Sequence, residues 1–336
     1  MSAQPYTVGL VGTGYMGAKH SEALSRHPET TLTRICSTER SAGVAEELAE
    51  RFGYAATTTD FDAVLADDID LVYVCSPDGT HAGYVSRALR AGKHVFCEKP
   101  LGRTAGELVS VRTALDESGT TLQVGMNCRY RARYLALRDA AAGLGELCYL
   151  RGIYVQNVVE TVRSNQKPWW VTDSAGPLTF LHGGGLHALD LMRWIGGDVG
   201  SVFARAAALE LEEEWGLDTF SVSLRFQSGA IGELLVSAAA PRPNDFSLEA
   251  WLTEGSVLDT TVHRGAGDGE ALPAEQDRPD LDLQLHDLLE AIRGGGEPQS
   301  SYADADANFR VIEAIGRSIE TGDAAQVTPE PVESNL

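Results

Sequence analysis

A chain of 336 residues with 43% apolar side chains is large enough for two domains with real cores. Its net charge of −21 excludes nucleic acid and anionic membranes as partners, because both are repelled at long range. No apolar run approaches the ~20 residues of a membrane helix. The first residues carry no basic stretch, so no signal peptide is read and the cytoplasm is the expected compartment. The five cysteines form no Cys-x-x-Cys pair and are read as buried free thiols. Only four lysines occur, Lys19, Lys93, Lys99 and Lys167, so each one stands out.

The first third of the chain alternates strand and helix periods, as βαβ units do. Strands are expected at 7–12, 31–36, 69–75, 94–97 and 121–125, and helices at 15–26, 40–52, 80–91 and 104–117. Strands this apolar belong in a parallel sheet covered on both faces. From residue 129 the texture turns to β-rich alternation at 147–158, 218–228, 230–238 and 248–258, which predicts a large, mainly antiparallel sheet. Helices are expected at 186–195, 282–293 and 304–321, and a mobile polar loop over 265–279. The fold class is therefore α/β.

Between the first strand and helix lies Gly12-Thr13-Gly14-Tyr15-Met16-Gly17. Glycines at this spacing let backbone N–H groups approach a pyrophosphate, and the helix N-terminus adds positive partial charge. An acid about 20 residues on, at the end of the second strand, binds a free ribose 2′-hydroxyl and repels a 2′-phosphate. Ser37 stands there, followed by Thr38, Glu39 and Arg40. Ser37 and Thr38 can donate to a phosphate, and Arg40 can pair with it. NADP(H) is therefore favoured over NAD(H), with Glu39 the argument for the latter. Cys75-Ser76-Pro77 ends the third expected strand and lines the cofactor groove. His81 follows, either bonded to a local carbonyl or catalytic.

Glu98-Lys99-Pro100 ends the strand 94–97, where doubly wound sheets place ligands. A lysine there can donate to a substrate oxygen, and Glu98 can orient it or sit near the nicotinamide. The second notable stretch is His182-Gly183-Gly184-Gly185-Leu186-His187, with Asp190 three residues on along the same helix face. His187 suits acid–base work, with Asp190 fixing its tautomer. A buried structural histidine and a metal site are the competing readings, and no convincing further ligand stands nearby. Arg163, Lys167, Trp169 and Trp170 either shape a sugar pocket or pack a loop.

Together these residues resemble the glucose–fructose oxidoreductase/inositol dehydrogenase/MocA family. The resemblance rests on Gly12-x-Gly14-x-x-Gly17, on 91–100 with its Cys97-Glu98-Lys99-Pro100, on Val124-Gly125-x-x-x-Arg129-Tyr130, on His187-x-x-Asp190 and on Ser228-Gly229-Ala230. It implies a Rossmann domain, here 1–128, then an α/β substrate and oligomerisation domain, 129–336, built on an open sheet, with the helix 304–321 packing back on the first. It implies hydride transfer between a nicotinamide and a secondary alcohol of a sugar, cyclitol or polyol, in a homodimer or homotetramer formed through that sheet. Lys99 would be the catalytic lysine, His187 the acid–base, and Arg129 and Tyr130 would face the cleft. Many polyol dehydrogenases of the family carry an aspartate where this chain has Gly183, so His182 or Asp190 would take its role or the substrate is held differently. The family also includes glycosidases that keep their nicotinamide bound, and non-catalytic dinucleotide sensors. Retention of both Lys99 and His187 weighs against a sensor.

Overall fold

A computed structural model describes residues 4–158, 176–210, 216–239, 244–265, 268–273 and 276–328. The chain divides into two compact units, Met1–Tyr130 with Arg278–Ala305, and Arg131–Asp277 with Asp306–Leu336.

The first unit opens with β1 (Tyr6–Val11), α1 (Tyr15–Arg26), β2 (Thr30–Cys36), α2 (Ala42–Phe52) and the short edge strand β3 (Ala56–Thr58). It continues with β4 (Leu71–Val74), α3 (His81–Arg90), β5 (His94–Cys97), α4 (Ala105–Ser118) and β6 (Leu122–Val124). All six strands pair in parallel in the order β3-β2-β1-β4-β5-β6. The order reverses between β1 and β4, and the carboxyl ends of those two strands form the ligand crevice of such sheets. Every residue of β4, Leu-Val-Tyr-Val, is buried, as a strand covered on both faces requires. α4 starts sharply because the Thr104 hydroxyl accepts from the Glu107 amide while the Glu107 carboxylate accepts from the Thr104 amide.

The second unit contains α5 (Ala132–Ala142), β7 (Leu147–Val155), a π-helical turn (Leu181–Gly185), α6 (Leu186–Gly196), β8 (Val199–Ala207), β9 (Thr219–Phe226) and β10 (Ile231–Ser237). β11 (Asp245–Leu252), β12 (Gly255–Leu258), β13 (Thr261–His263) and β14 (Glu270–Ala271) follow. Near the C-terminus come α7 (Asp280–Gly294), α8 (Tyr302–Thr321) and β15 (Ala325–Gln326). The nine strands run β14-β13-β12-β11-β7-β10-β9-β8-β15, antiparallel except where β7 meets β10. Along β9, buried Phe220, Val222, Leu224 and Phe226 alternate with exposed Ser221, Ser223 and Arg225, the signature of a sheet covered on one face.

Three expectations change. The stretch 248–258 is a hairpin, because the Thr253 amide donates to the Glu146 carbonyl and the Thr253 hydroxyl accepts from the Glu146 amide, which fixes a corner there. Part of the expected loop 265–279 is β14, paired to β13. The sequence-continuous second domain is also interrupted, since residues 278–305 return to the first unit. α7 explains why: Leu285, Leu288 and Leu289 lie on one helical stripe and join Leu10, Ile35, Leu71, Tyr73 and Phe96 in the core of the first unit. It is thus α7 that belongs wholly to the first unit, while α8 begins there and continues in the second. α5, β3 and β8 are additional elements; α5 buries only Tyr134, Leu137 and Ala141, too sparse a stripe to signal a helix.

Candidate active site

The three glycines between β1 and α1 have separable reasons to be glycine. Gly12 has φ +103°, and a Cβ there would lie 2.3 Å from the Cys75 carbonyl oxygen. A Cβ on Gly17 would lie 2.1 Å from the Gly12 oxygen, so this glycine lets α1 pack against the turn. A Cβ on Gly14 would meet nothing within 4 Å, so the turn is open on that side. Gly14 is also the N-cap of α1, supplies no side-chain cap, and no acid stands in the first turn. Backbone donors and open space suit a dinucleotide pyrophosphate, and the residues present therefore fit the group. Tyr15, 77% exposed, and Met16 begin the helix beside Thr13.

At the end of β2, Ser37 is buried, while Thr38, Glu39 and Arg40 are exposed. The Thr38 and Ser41 hydroxyls lie 2.9 Å apart. The Thr59 hydroxyl donates to Glu39 Oε1 at 3.0 Å, which draws that carboxylate towards the exit of β3.

Beyond β4, Cys75 and Ser76 are buried against Gly12. Ser76 shares a 2.7 Å hydroxyl contact with Thr80, whose hydroxyl also donates to the Pro77 carbonyl. His81 is 1% exposed; its Nδ1 lies 2.7 Å from the Pro100 carbonyl oxygen and its Nε2 2.8 Å from that of Ser76. The ring thus clamps the chain after Lys99 to the exit of β4. Of the two roles open to His81 from sequence, the backbone one is the one seen.

Glu98 is buried at the end of β5. Its Oε1 is 2.7 Å from His20 Nε2, and its Oε2 accepts from the Lys99 backbone amide at 3.2 Å. Burial pushes the Glu98 carboxyl up, but the His20 hydrogen bond and the charges of His20 and Lys99 outweigh it and hold it below the usual range. Gly125 makes room for this side chain, since a Cβ there would stand 3.0 Å from Glu98 Oε2. Lys99 is half-buried, and its peptide to Pro100 is cis. Burial lowers its ammonium below the ordinary lysine range, against the opposing pull of Glu98. His20 was not anticipated from the sequence; its only signal was a polar residue on the α1 face shared by Gly17, Ser21 and Leu24, all buried.

In the second unit His187 sits half-buried in the first turn of α6, directly after the π-helical turn. Irregular turns of this kind often mark functional sites. The Tyr154 ring, from β7, lies 6.4 Å from the His187 ring between centroids. A Cβ on Gly184 would stand 2.2 Å from that tyrosine, whereas Gly183 has open space. Asp190 is buried and accepts from Asn308 Nδ2 at 2.8 Å, while Arg193 donates to the Asn308 oxygen at 3.1 Å. Asn308 is a second residue the sequence did not single out. His182 is buried, its ring 6.3 Å from that of Phe309.

Arg129 and Tyr130, expected to face a cleft, are 1% and 3% exposed. Arg129 donates to the Gln299 carbonyl at 2.5 Å and to Asp304 at 2.9 Å, and the Tyr130 hydroxyl donates to Asp287 at 2.7 Å. Both tie the returning segment 278–305 into the first unit. Arg163, Lys167, Trp169 and Trp170 lie outside the described residues.

Family models agree with both halves. One, described as an oxidoreductase family with an NAD-binding Rossmann fold, matches residues 6–126, and the GFO/IDH/MocA C-terminal domain matches 134–258. The chain belongs to the Gfo/Idh/MocA oxidoreductase family. Among Gfo/Idh/MocA relatives, inositol 2-dehydrogenase of Rhizobium meliloti (strain 1021) is 28% identical, covering 93% of this chain and 96% of the relative. D-xylose 1-dehydrogenase (NADP(+)) 2 of Haloferax volcanii is also 28% identical, covering 95% and 99%. A solved structure of levoglucosan dehydrogenase with NADH and levoglucosan superposes with a TM-score of 0.86 at 25% identity, covering 97% of this chain and 100% of that one. This family member is thus a nicotinamide-dependent oxidoreductase with an α/β fold of a Rossmann sheet and a larger, mainly antiparallel one. Among the described residues, no helix is long and apolar enough to cross a membrane.

Proposed function

We propose that this enzyme oxidises a secondary alcohol of a sugar or cyclitol, or reduces the matching ketone. The observation that carries the reading is Lys99 at the end of β5, whose backbone amide donates to the buried Glu98 carboxylate and whose ammonium feels that carboxylate's charge. A chain of contacts links it to the glycine turn, from Gly12 to Cys75 and Ser76, and through His81 to Pro100. A nicotinamide, when bound, supplies the hydride acceptor. Gly12, Gly14 and Gly17 hold its pyrophosphate through backbone donors. Lys99 Nζ is assigned as donor to the reacting oxygen, and the family resemblance assigns acid–base work to the His187 imidazole. Asp190, fixed by Asn308, orients α6 and its histidine. His182, within the π-helical turn, and Tyr154, packed against Gly184 of that turn, are assigned to substrate contact. Relatives named for inositol, levoglucosan and xylose support the substrate class. Its test is nicotinamide reduction with a panel of inositols, aldoses and anhydrosugars; no turnover on any of them, with tight dinucleotide binding, would favour a sensor.

Within that reading we assign NADP(H) as the preferred cofactor. Ser37 occupies the position of the ribose-binding acid, Arg40 is exposed beside it, and Glu39 is engaged by Thr59. Ser37→Asp should swing the ratio of NADPH to NADH affinity towards NADH by at least tenfold, read by fluorescence titration. An unchanged ratio would rule this assignment out. A homodimer or homotetramer built on the second-unit sheet is supported by exposed Phe203 and Ile231 on β8 and β10. The cytoplasm remains the compartment we assign.

A further inference from the structure

One buried titratable group has no part in the chemistry above. His20 lies on the inward face of α1, 2% exposed, with Nε2 2.7 Å from Glu98 Oε1. Its surroundings fix it tightly. The rings of Tyr73 and Phe96 stand 5.5 and 4.6 Å from the imidazole between centroids. Gly125 keeps the space that the Glu98 side chain fills. A carboxyl this deep ordinarily takes up a proton unless a donor or a counter-charge holds it ionised. His20 supplies a donor on one oxygen, and the other oxygen accepts from the Lys99 amide.

We propose that His20 is a positioning residue, which holds Glu98 as an oriented carboxylate beside Lys99 and thereby keeps Lys99 an ammonium able to donate to substrate. The proposal rests on the reading of Lys99 given above, but its central claim concerns ionisation and is testable without turnover. Among the described residues, the charged and titratable groups that act on Lys99 include Glu98, Asp78 from the turn after β4, and Cys128 from the turn before α5. Those facing Glu98 are His20 from α1, Lys99 and His81 from α3, and its charge is also felt by the buried thiols of Cys75 and Cys97. Burial drives the Lys99 ammonium towards losing its proton, and the Glu98 charge opposes that loss. Without His20, Glu98 protonates more readily, the opposing charge fades, and Lys99 deprotonates at lower pH.

The chain's four lysines make Lys99 directly observable. Full-length protein labelled with ¹³C at lysine Cε is titrated by NMR, and the Lys99 resonance is identified by its loss in Lys99→Arg. In His20→Leu the Lys99 midpoint should fall by about one pH unit or more, the scale of a lost neighbouring charge. In His20→Gln, whose amide still donates to Glu98, it should return towards the wild-type value. Circular dichroism and NADH fluorescence titration establish that the variants are folded. If His20→Leu does not fold, His20→Phe keeps a ring against Tyr73 and Phe96 and removes the donor. An unmoved midpoint in a folded donor-less variant overturns the proposal, as does an equal fall in His20→Gln. A shifted midpoint with normal turnover in Lys99→Ala would keep the His20 proposal and discard the catalytic reading of Lys99. An unmoved midpoint with an inactive Lys99→Ala would do the reverse.

Discussion

Replacing Lys99 with alanine is expected to lower kcat by about 10²- to 10⁴-fold, the usual worth of a positioned proton donor. Dinucleotide affinity should stay near normal, because the pyrophosphate is assigned to backbone groups of Gly12, Gly14 and Gly17, which the substitution does not touch. Lys99→Arg should not rescue the enzyme, since a planar guanidinium cannot put a donor where a compact ammonium does. The pH profile carries the same information. Lys99 donates only while protonated, and burial has lowered its ammonium from the ordinary lysine range. Activity should therefore fall as pH rises through that lowered value, and this limb should vanish in the alanine variant's residual rate. Steady-state kinetics across pH, paired with NADPH and NADH titrations, check both statements. Near-normal turnover in Lys99→Ala would sink the catalytic assignment.

Local pattern made much of the first unit legible. The strand His94–Cys97 and the helix Tyr15–Arg26 have the bounds expected, because each is closed by its own chemistry: the glycine turn before the helix, and Glu98 after the strand. Thr104, read as the start of the fourth helix, is its N-cap. Apart from α5, whose own apolar stripe is sparse, the main misses are non-local. That α7 belongs to the first unit depends on Leu285, Leu288 and Leu289 meeting strands nearly 200 residues or more earlier, and nothing near those leucines states which sheet they cover. The same holds at the site. Glu98 and Lys99 were visible as a motif, but the His20 partner is 78 residues away, and Asn308 is 118 residues from Asp190. Buried polar residues on otherwise apolar helix faces were the available signal for both. Such positions call for a partner but do not identify it.

Arg129 separates a local reading from a structural one most sharply, and Arg129→Ala is expected to cost about 3 kcal/mol of stability, the lower end for breaking a buried ion pair. The guanidinium is almost wholly enclosed and donates to the Gln299 carbonyl and to Asp304. Asp304 in turn accepts from the backbone amide of Ser301, so one arginine organises the turn that leads into α8. Alanine would leave the Gln299 oxygen and the Asp304 charge without that donor. The lower end of the range applies because Asp304 keeps 29% of its side-chain surface in solvent and can be rehydrated. Asp304→Asn should cost less, since the arginine retains the Gln299 carbonyl and an amide oxygen in place of the carboxylate. Lysine at 129 should recover little, because a single ammonium cannot span the two acceptors as the guanidinium fork does. Urea denaturation of the three variants measures these differences, and substrate KM in Arg129→Ala should remain close to wild type wherever the protein is folded. A raised KM with unaltered stability would instead return Arg129 to the substrate-facing role that the family resemblance implied.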